Sequence, residues 1–274
     1  MTDRTLILAI ETSNPSSGPH GLLDDGTPAG PGVALGTNEK RPSLIGQELL
    51  RESARQDDDL MPAIERLFRR HDAKPAQIAR VAVSVGPGGY TGVRIAVAAA
   101  KLIAEASGAR TVAVPSAHCA AWRVGQDTAP AVVCLASKRG AVHATVLPTR
   151  AWWDARGRDA VIALVGEEGL EETQRRLGEG RQWIAASCEV GVIDVEQVAR
   201  LSPETLIGDR HLPETFVRWA DANRVRIVEP IFSAQSVLEI AGGDRGCDPA
   251  LLQPMYPREP DAVTQWRARK KSDI

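Results

Sequence analysis

The chain has 274 residues, 43% of them apolar and 25% charged, and its 33 basic and 35 acidic side chains leave a net charge of −2. That length supports one large domain or two small ones around a real core. The near-neutral balance excludes a global basic field that would draw the chain to nucleic acid or membrane, so any RNA contact has to be local. Cys119, Cys134, Cys188 and Cys247 form no CxxC pair, which fits buried reduced thiols rather than a zinc site or a redox motif.

The run Leu6 to Ile10 stops at Glu11, and no apolar segment approaches a membrane span; a cytoplasmic protein without a signal peptide is expected. Thr5 to Ser13 reads as a buried strand. Asn14 to Pro31 is dense in Gly, Pro, Asn and Asp and reads as a loop longer than a hairpin needs. Gly32 to Gly36 and "RPSLIG" are the next strands. In "DDDLMPAIERLFRRH" the spacing of Leu60, Met61, Ile64, Leu67 and Phe68 predicts an amphipathic helix. Pro62 suits only a first turn, which puts the start near Asp59.

"IARVAVSV" is a further buried strand. "GPGGYTG" follows, Gly86 to Gly92, and opens a helix that Thr91 can cap and Gly108 can end. Three uses of this turn stay open. Its backbone N–H groups could bind a phosphate, its glycines could supply positive φ, or they could let two backbones approach closely. The Walker lysine is absent and the Rossmann spacing fails, since position 91 is Thr. The helix after it is apolar nearly all round, with many alanines, which implies burial on more than one side. One face should pack on a sheet and the other on the preceding helix or on a partner protein.

"TVAVP" reads as a strand and "SAHCAAWRV" as a helix. "AVVCLAS" and "AVHATVL" read as a β-hairpin, "AVIALV" and "QWIAAS" as strands around a helical "EEGLEETQRRL". "ETFVRWADAN" is helical, "RVRIVEP" a strand and "FSAQSVLEIA" a helix. The alternation suggests two α/β units, each a mixed sheet with helices. His20, His71, His118, His143 and His211 show no metal-ligand spacing, and there is no G-x-S-x-G elbow. The basic tail with Arg267, Arg269, Lys270 and Lys271 reads as a solvated terminus or as a contact for RNA phosphates.

"ILAIETS", "SVGPGGYTGVRIAVAAAK" and "LLQPMYPREPDAV", in that order, resemble the TsaB (YeaZ) family of bacterial proteins. The resemblance implies an actin/Hsp70/sugar-kinase-like α/β fold of two RNase-H-like lobes, divided here as residues 1–112 and 113–274. It implies a role in making N6-threonylcarbamoyladenosine at position 37 of tRNA. The chain would be a non-catalytic subunit, without catalytic residues or metal, paired with a TsaD-like catalytic subunit and a TsaE-like ATPase. tRNA would be contacted indirectly by the complex, and ATP or ADP would bind only in it.

On the same basis the residues expected near a nucleotide are Glu11, Thr12, Gly86, Gly88, Gly89 and Thr91. The residues expected at the partner interface, or at a homodimer through the same helices, are Leu60, Ile64, Val93, Ala96, Val97, Ala100, Lys101 and Ala104. An active phosphotransferase of the same superfold and a glycoprotease-type metallopeptidase are the alternatives. Departures from the family pattern are the Asn14–Pro31 insertion, Glu11 in place of Asp, Gln56 to Asp58 in place of a His-Ser-Glu-like stretch, and Ala136 and Ala141 in place of acids. They fit a subunit that needs shape more than acids.

Overall fold

The computed structural model describes residues 5–14, 18–24, 26–51, 56–124, 130–136, 140–152, 154–155, 158–165 and 187–256. The basic tail, the "EEGLEETQRRL" helix and most of the "QWIAAS" strand lie outside the described residues. In chain order the strands are β1 (Leu6–Glu11), β2 (Gly21–Leu22), β3 (Pro28–Ala29), β4 (Gly32–Thr37), β5 (Leu44–Leu49), β6 (Ile78–Gly86), β7 (Arg110–Pro115), β8 (Ala131–Ala136), β9 (Val142–Leu147), β10 (Cys188–Ile193), β11 (Thr205–Ile207) and β12 (Arg226–Val228). The principal helices are α1 (Gln56–Arg70), α2 (Tyr90–Ser107), α3 (Ser116–Trp122), α4 (Arg158–Val165), α5 (Val195–Leu201), α6 (Glu214–Asn223) and α7 (Ala234–Ala241).

Two five-stranded mixed sheets organise the chain, in the orders β5-β4-β1-β6-β7 and β10-β9-β8-β11-β12. Counted by appearance within each sheet, both orders are 3-2-1-4-5. The pairings repeat too. In each sheet the first three strands form an antiparallel meander, and the last two join in parallel. One α/β pattern has thus been used twice.

The period of two along β1 sorts its side chains between cores. Leu6, Leu8 and Ile10 face α1 and α2, while Ile7 and Ala9 face the opposite side. That opposite core contains α3 and α7 together with Val133 and Leu135 of β8, so these helices lie between the two sheets. A third core covers the far face of the second sheet, under α4, α5 and α6. Each fully buried Leu or Ile contributes about 1.5–3 kcal/mol by leaving water.

Several sequence expectations change. "AVIALV" is not a strand but part of α4, with Val161 buried in the third core. An apolar run this short carries no period that separates helix from strand. Helix α1 starts at Gln56, which leaves Pro62 well inside it. Pro62 and Asp58 are both exposed, so solvent can take the Asp58 carbonyl that the proline cannot bond. Thr91 does not cap α2; the cap is Gly89, without a side-chain hydrogen bond. Gly108 ends that helix in the left-handed region, at φ 65°. The Asn14–Pro31 insertion contains the small β2–β3 pair. Gly30 N donates to Phe232 O at 2.7 Å, which ties the insertion to the chain entering α7.

After α7 the chain returns along the first sheet. Thr111 and Cys247 exchange backbone hydrogen bonds of 2.9 and 2.7 Å, extending that sheet past β7. Lys101 Nζ donates to Ala250 O and Leu252 O at 3.2 and 3.3 Å, and Leu252 enters the first core. Met255 N donates to Val85 O at 2.7 Å. The first sheet is therefore covered by residues from both sides of a division at 112.

Candidate functional site

Parallel pairing of β1 and β6 brings their C-terminal ends together, Ile10 opposite Val83. The segment after β1 and the glycine turn after β6 are thereby forced into contact. A Cβ on Gly88 would lie 2.0 Å from Ser13 O, one on Gly92 2.8 Å from Thr12 O, and one on Gly86 2.9 Å from Met255 O. Gly86 also has φ +104°, which side-chain-bearing residues rarely adopt. Gly89 N donates to Ser13 O at 2.6 Å, and Thr12 Oγ1 donates to Gly92 O at 3.0 Å. Asn14 Nδ2 reaches Pro87 O at 3.2 Å.

Of the three uses left open by the sequence, close approach describes all three glycines, and positive φ describes Gly86. The space a phosphate would need against Gly88 and Gly89 is taken by Ser13. The residues present therefore do not fit a nucleotide phosphate at that point of the turn.

Glu11 ends β1 and is 1% exposed. Its Oε1 accepts from Ser13 N and Ser13 Oγ, both at 2.7 Å, while Oε2 has no hydrogen-bond partner. Burial raises its pKa, against the opposing effect of the two hydrogen bonds from Ser13. Ser84 Oγ and Ser116 Oγ share a hydrogen bond of 2.9 Å beside it. The nearby Cys119 thiol is pushed well above its usual value, chiefly by burial. Glu11 is thus a buried acid held by Ser13 rather than an exposed carboxylate. Thr12 is buried beside it, and Thr91 is exposed.

The structure places most of the expected interface residues inside the chain. Leu60 and Ile64 of α1 and Val93, Ala96, Val97, Ala100 and Ala104 of α2 are buried in the first core. Their side chains pack inward on the sheet. Lys101 is half-buried and holds the returning C-terminal segment. The outward stripe of the same helices is different: Met61 on α1 is 54% exposed and Leu102 on α2 71%, with Arg94, Ala98 and Glu105 also exposed. Helical spacing alone held this signal, because once Val93, Val97 and Ala100 face the sheet, positions 94, 98, 102 and 105 must face away. Ionic contacts fix α1 in place. Arg66 bridges Asp59 and Glu48 at 2.9 Å each, and this pairing lowers the Asp59 pKa.

The chain has the duplicated two-sheet architecture of the actin/Hsp70/sugar-kinase-like fold. YeaZ from Pseudomonas aeruginosa shares it, with a TM-score of 0.57 and 18% identity over 92% of this chain and 99% of that one. An uncharacterized Pseudomonas aeruginosa protein with similarity to peptidase YEAZ superposes with a TM-score of 0.58 at 18% identity, covering 93% of this chain and all of that one. In sequence, residues 52–148, from α1 through β9, match the TsaD family, tRNA N6-adenosine threonylcarbamoyltransferase. No curated protein matches the sequence. Among the described residues no three His, Cys, Asp or Glu side chains come together as metal ligands, and no helix is long and apolar enough to cross a membrane.

Proposed function

We propose that this chain is a non-catalytic subunit in the synthesis of N6-threonylcarbamoyladenosine on tRNA, pairing with a TsaD-like catalytic subunit and working with a TsaE-like ATPase. One observation carries the reading. The glycine turn is packed by the chain's own backbone, whereas the outward face of α1 and α2 leaves Met61 and Leu102 in solvent. A fold whose ligand turn is filled and whose neighbouring helices expose apolar side chains is suited to partner binding. The TsaD match over residues 52–148 supports the partner's class, because α1 and α2 lie within it. Related chains of one fold commonly pair through equivalent faces, so the same stripe would also serve a homodimer when the catalytic subunit is absent.

ATP or ADP enters this proposal only as a ligand of the assembled complex. The test is reconstitution. The chain is purified with the TsaD-like subunit of its own organism, and modified tRNA is measured with and without it. Co-purification and loss of product on omission are expected; neither occurring would overturn the reading. Calorimetric titration of the isolated chain with Mg-ATP addresses the phosphotransferase alternative, and tight binding there would favour it.

A further inference from the structure

The chain has only two tyrosines, Tyr90 and Tyr256, far apart in sequence. The fold brings their ring centroids to 5.4 Å, with planes tilted by 36°. Tyr90 is 59% exposed and Tyr256 44%. A tyrosine pair serving only the core would be buried. Beside it, the Arg94 guanidinium lies 5.0 Å from the Tyr90 ring centre, and its Nη1 donates to Tyr90 Oη at 2.7 Å. Among the described residues Arg94 has no carboxylate partner, and unlike Arg80 and Arg110, which bond backbone carbonyls, its side-chain hydrogen bond goes to the exposed Tyr90 hydroxyl. The group is also held in place. Tyr90 begins α2, and Tyr256 follows Met255, which is bonded to Val85.

We propose that Tyr90, Arg94 and Tyr256 form a contact platform for single-stranded RNA, where an unpaired base stacks on a tyrosine face and Arg94 takes the adjoining phosphate. The proposal rests on the tRNA-modification reading above and turns an indirect contact with tRNA into a direct one. A nucleotide offers a π face and an anion one linkage apart, which matches two open rings beside a guanidinium that has no carboxylate partner among the described residues. A single protein side chain offers one or the other. Base–aromatic stacking tolerates any sequence, so the platform would add affinity without reading bases.

Fluorescence anisotropy of the full-length chain with an unmodified tRNA transcript and a single-stranded RNA oligomer tests this, with and without the TsaD-like subunit. Replacing both tyrosines with leucine keeps bulk but removes the π faces, and should weaken binding about tenfold or more. Replacing both with phenylalanine should change it by no more than about twofold. Arg94→Gln should weaken binding and lower the salt slope by about one. If the leucine variant melts lower than wild type, Arg94→Gln and the phenylalanine variant, which leave the packing intact, decide the matter. Wild-type affinity in the leucine and Arg94→Gln variants, equal losses in the leucine and phenylalanine variants, or no RNA binding by the wild type would overturn the platform. Pairing with the TsaD-like subunit is scored separately. RNA affinity unchanged while pairing is lost overturns the platform in favour of a protein contact. Failure of the wild type to pair rejects the functional reading instead.

Discussion

Gly88 and Ser13 touch so closely that a single added carbon has nowhere to go: a Cβ on Gly88 would sit 2.0 Å from Ser13 O. The obstacle is backbone, which cannot swing aside as a side-chain end could. Gly88→Ala should therefore destabilise the chain by about 2 kcal/mol or more. Gly243 has open space around its Cβ position, so Gly243→Ala should stay within about 0.5 kcal/mol of wild type. Urea denaturation of the two variants checks the contrast, and equal stabilities would contradict the close-approach account.

Glu11 predicts an unusual pH dependence. Burial raises its folded pKa above the ordinary 4.5, so the folded chain keeps a proton that the unfolded chain has released. This group's contribution is fully present below about pH 4.5 and is lost as pH rises through the raised value. Glu11→Gln keeps the shape and removes the titration. Its stability relative to wild type should rise as pH climbs above 4.5, as read by thermal melts over a pH series. A flat difference would show that the acid is not held neutral.

The two faces of α2 should respond oppositely to charge. Val97→Glu and Ala100→Glu place a carboxylate in the first core, where an unpaired buried charge costs several kcal/mol, and should prevent stable folding. Ala98→Glu and Leu102→Glu fall on the exposed stripe and should melt within a few degrees of wild type. Circular dichroism melts of the four variants separate the faces. Unfolding by all four would contradict the assignment of the stripe as outward.

Arg80 ties α7 to the first sheet. Its Nε donates to Asn38 Oδ1 and its Nη1 to Ala241 O, both at 2.7 Å, and Nη1 also bonds Asp244 O. Burial lowers its pKa, yet the planar fork remains satisfied by carbonyls at the end of the helix. Arg80→Met removes this side-chain donor from Asn38 and Asp244 O, while Ala241 O keeps its bond from Asp244 N, and should cost about 1–3 kcal/mol. Hydrogen exchange of the α7 amides should rise more than that of β8; a uniform rise would contradict a local clamp.

The first half of the chain was nearly legible as a sequence, because its strands are long and apolar and its helices carry a clean period. The second half was less so. β10 contains Gly191 and is only partly buried, and β11 has three residues, so neither offered an apolar run to read. Yet the start of α5 was written plainly: Asp194 accepts from Gln197 N while the Gln197 side chain returns to Asp194 N, a capping box three residues apart. Seven of the residues expected at an interface lie in the first core instead, for a geometric reason. Small apolar residues such as Ala96 and Ala100 mark close packing, but only the sheet's position says which side they close upon. Tyr90 and Tyr256 meet through the returning C-terminal segment, a contact that no local pattern encodes.

Leu102→Glu in the reconstituted tRNA-modification assay tests the central claim most directly. The account predicts a variant that folds as wild type, no longer co-purifies with the TsaD-like subunit, and fails to support threonylcarbamoyladenosine formation. Wild-type product from that variant, or from the catalytic subunit with this chain left out, would contradict it.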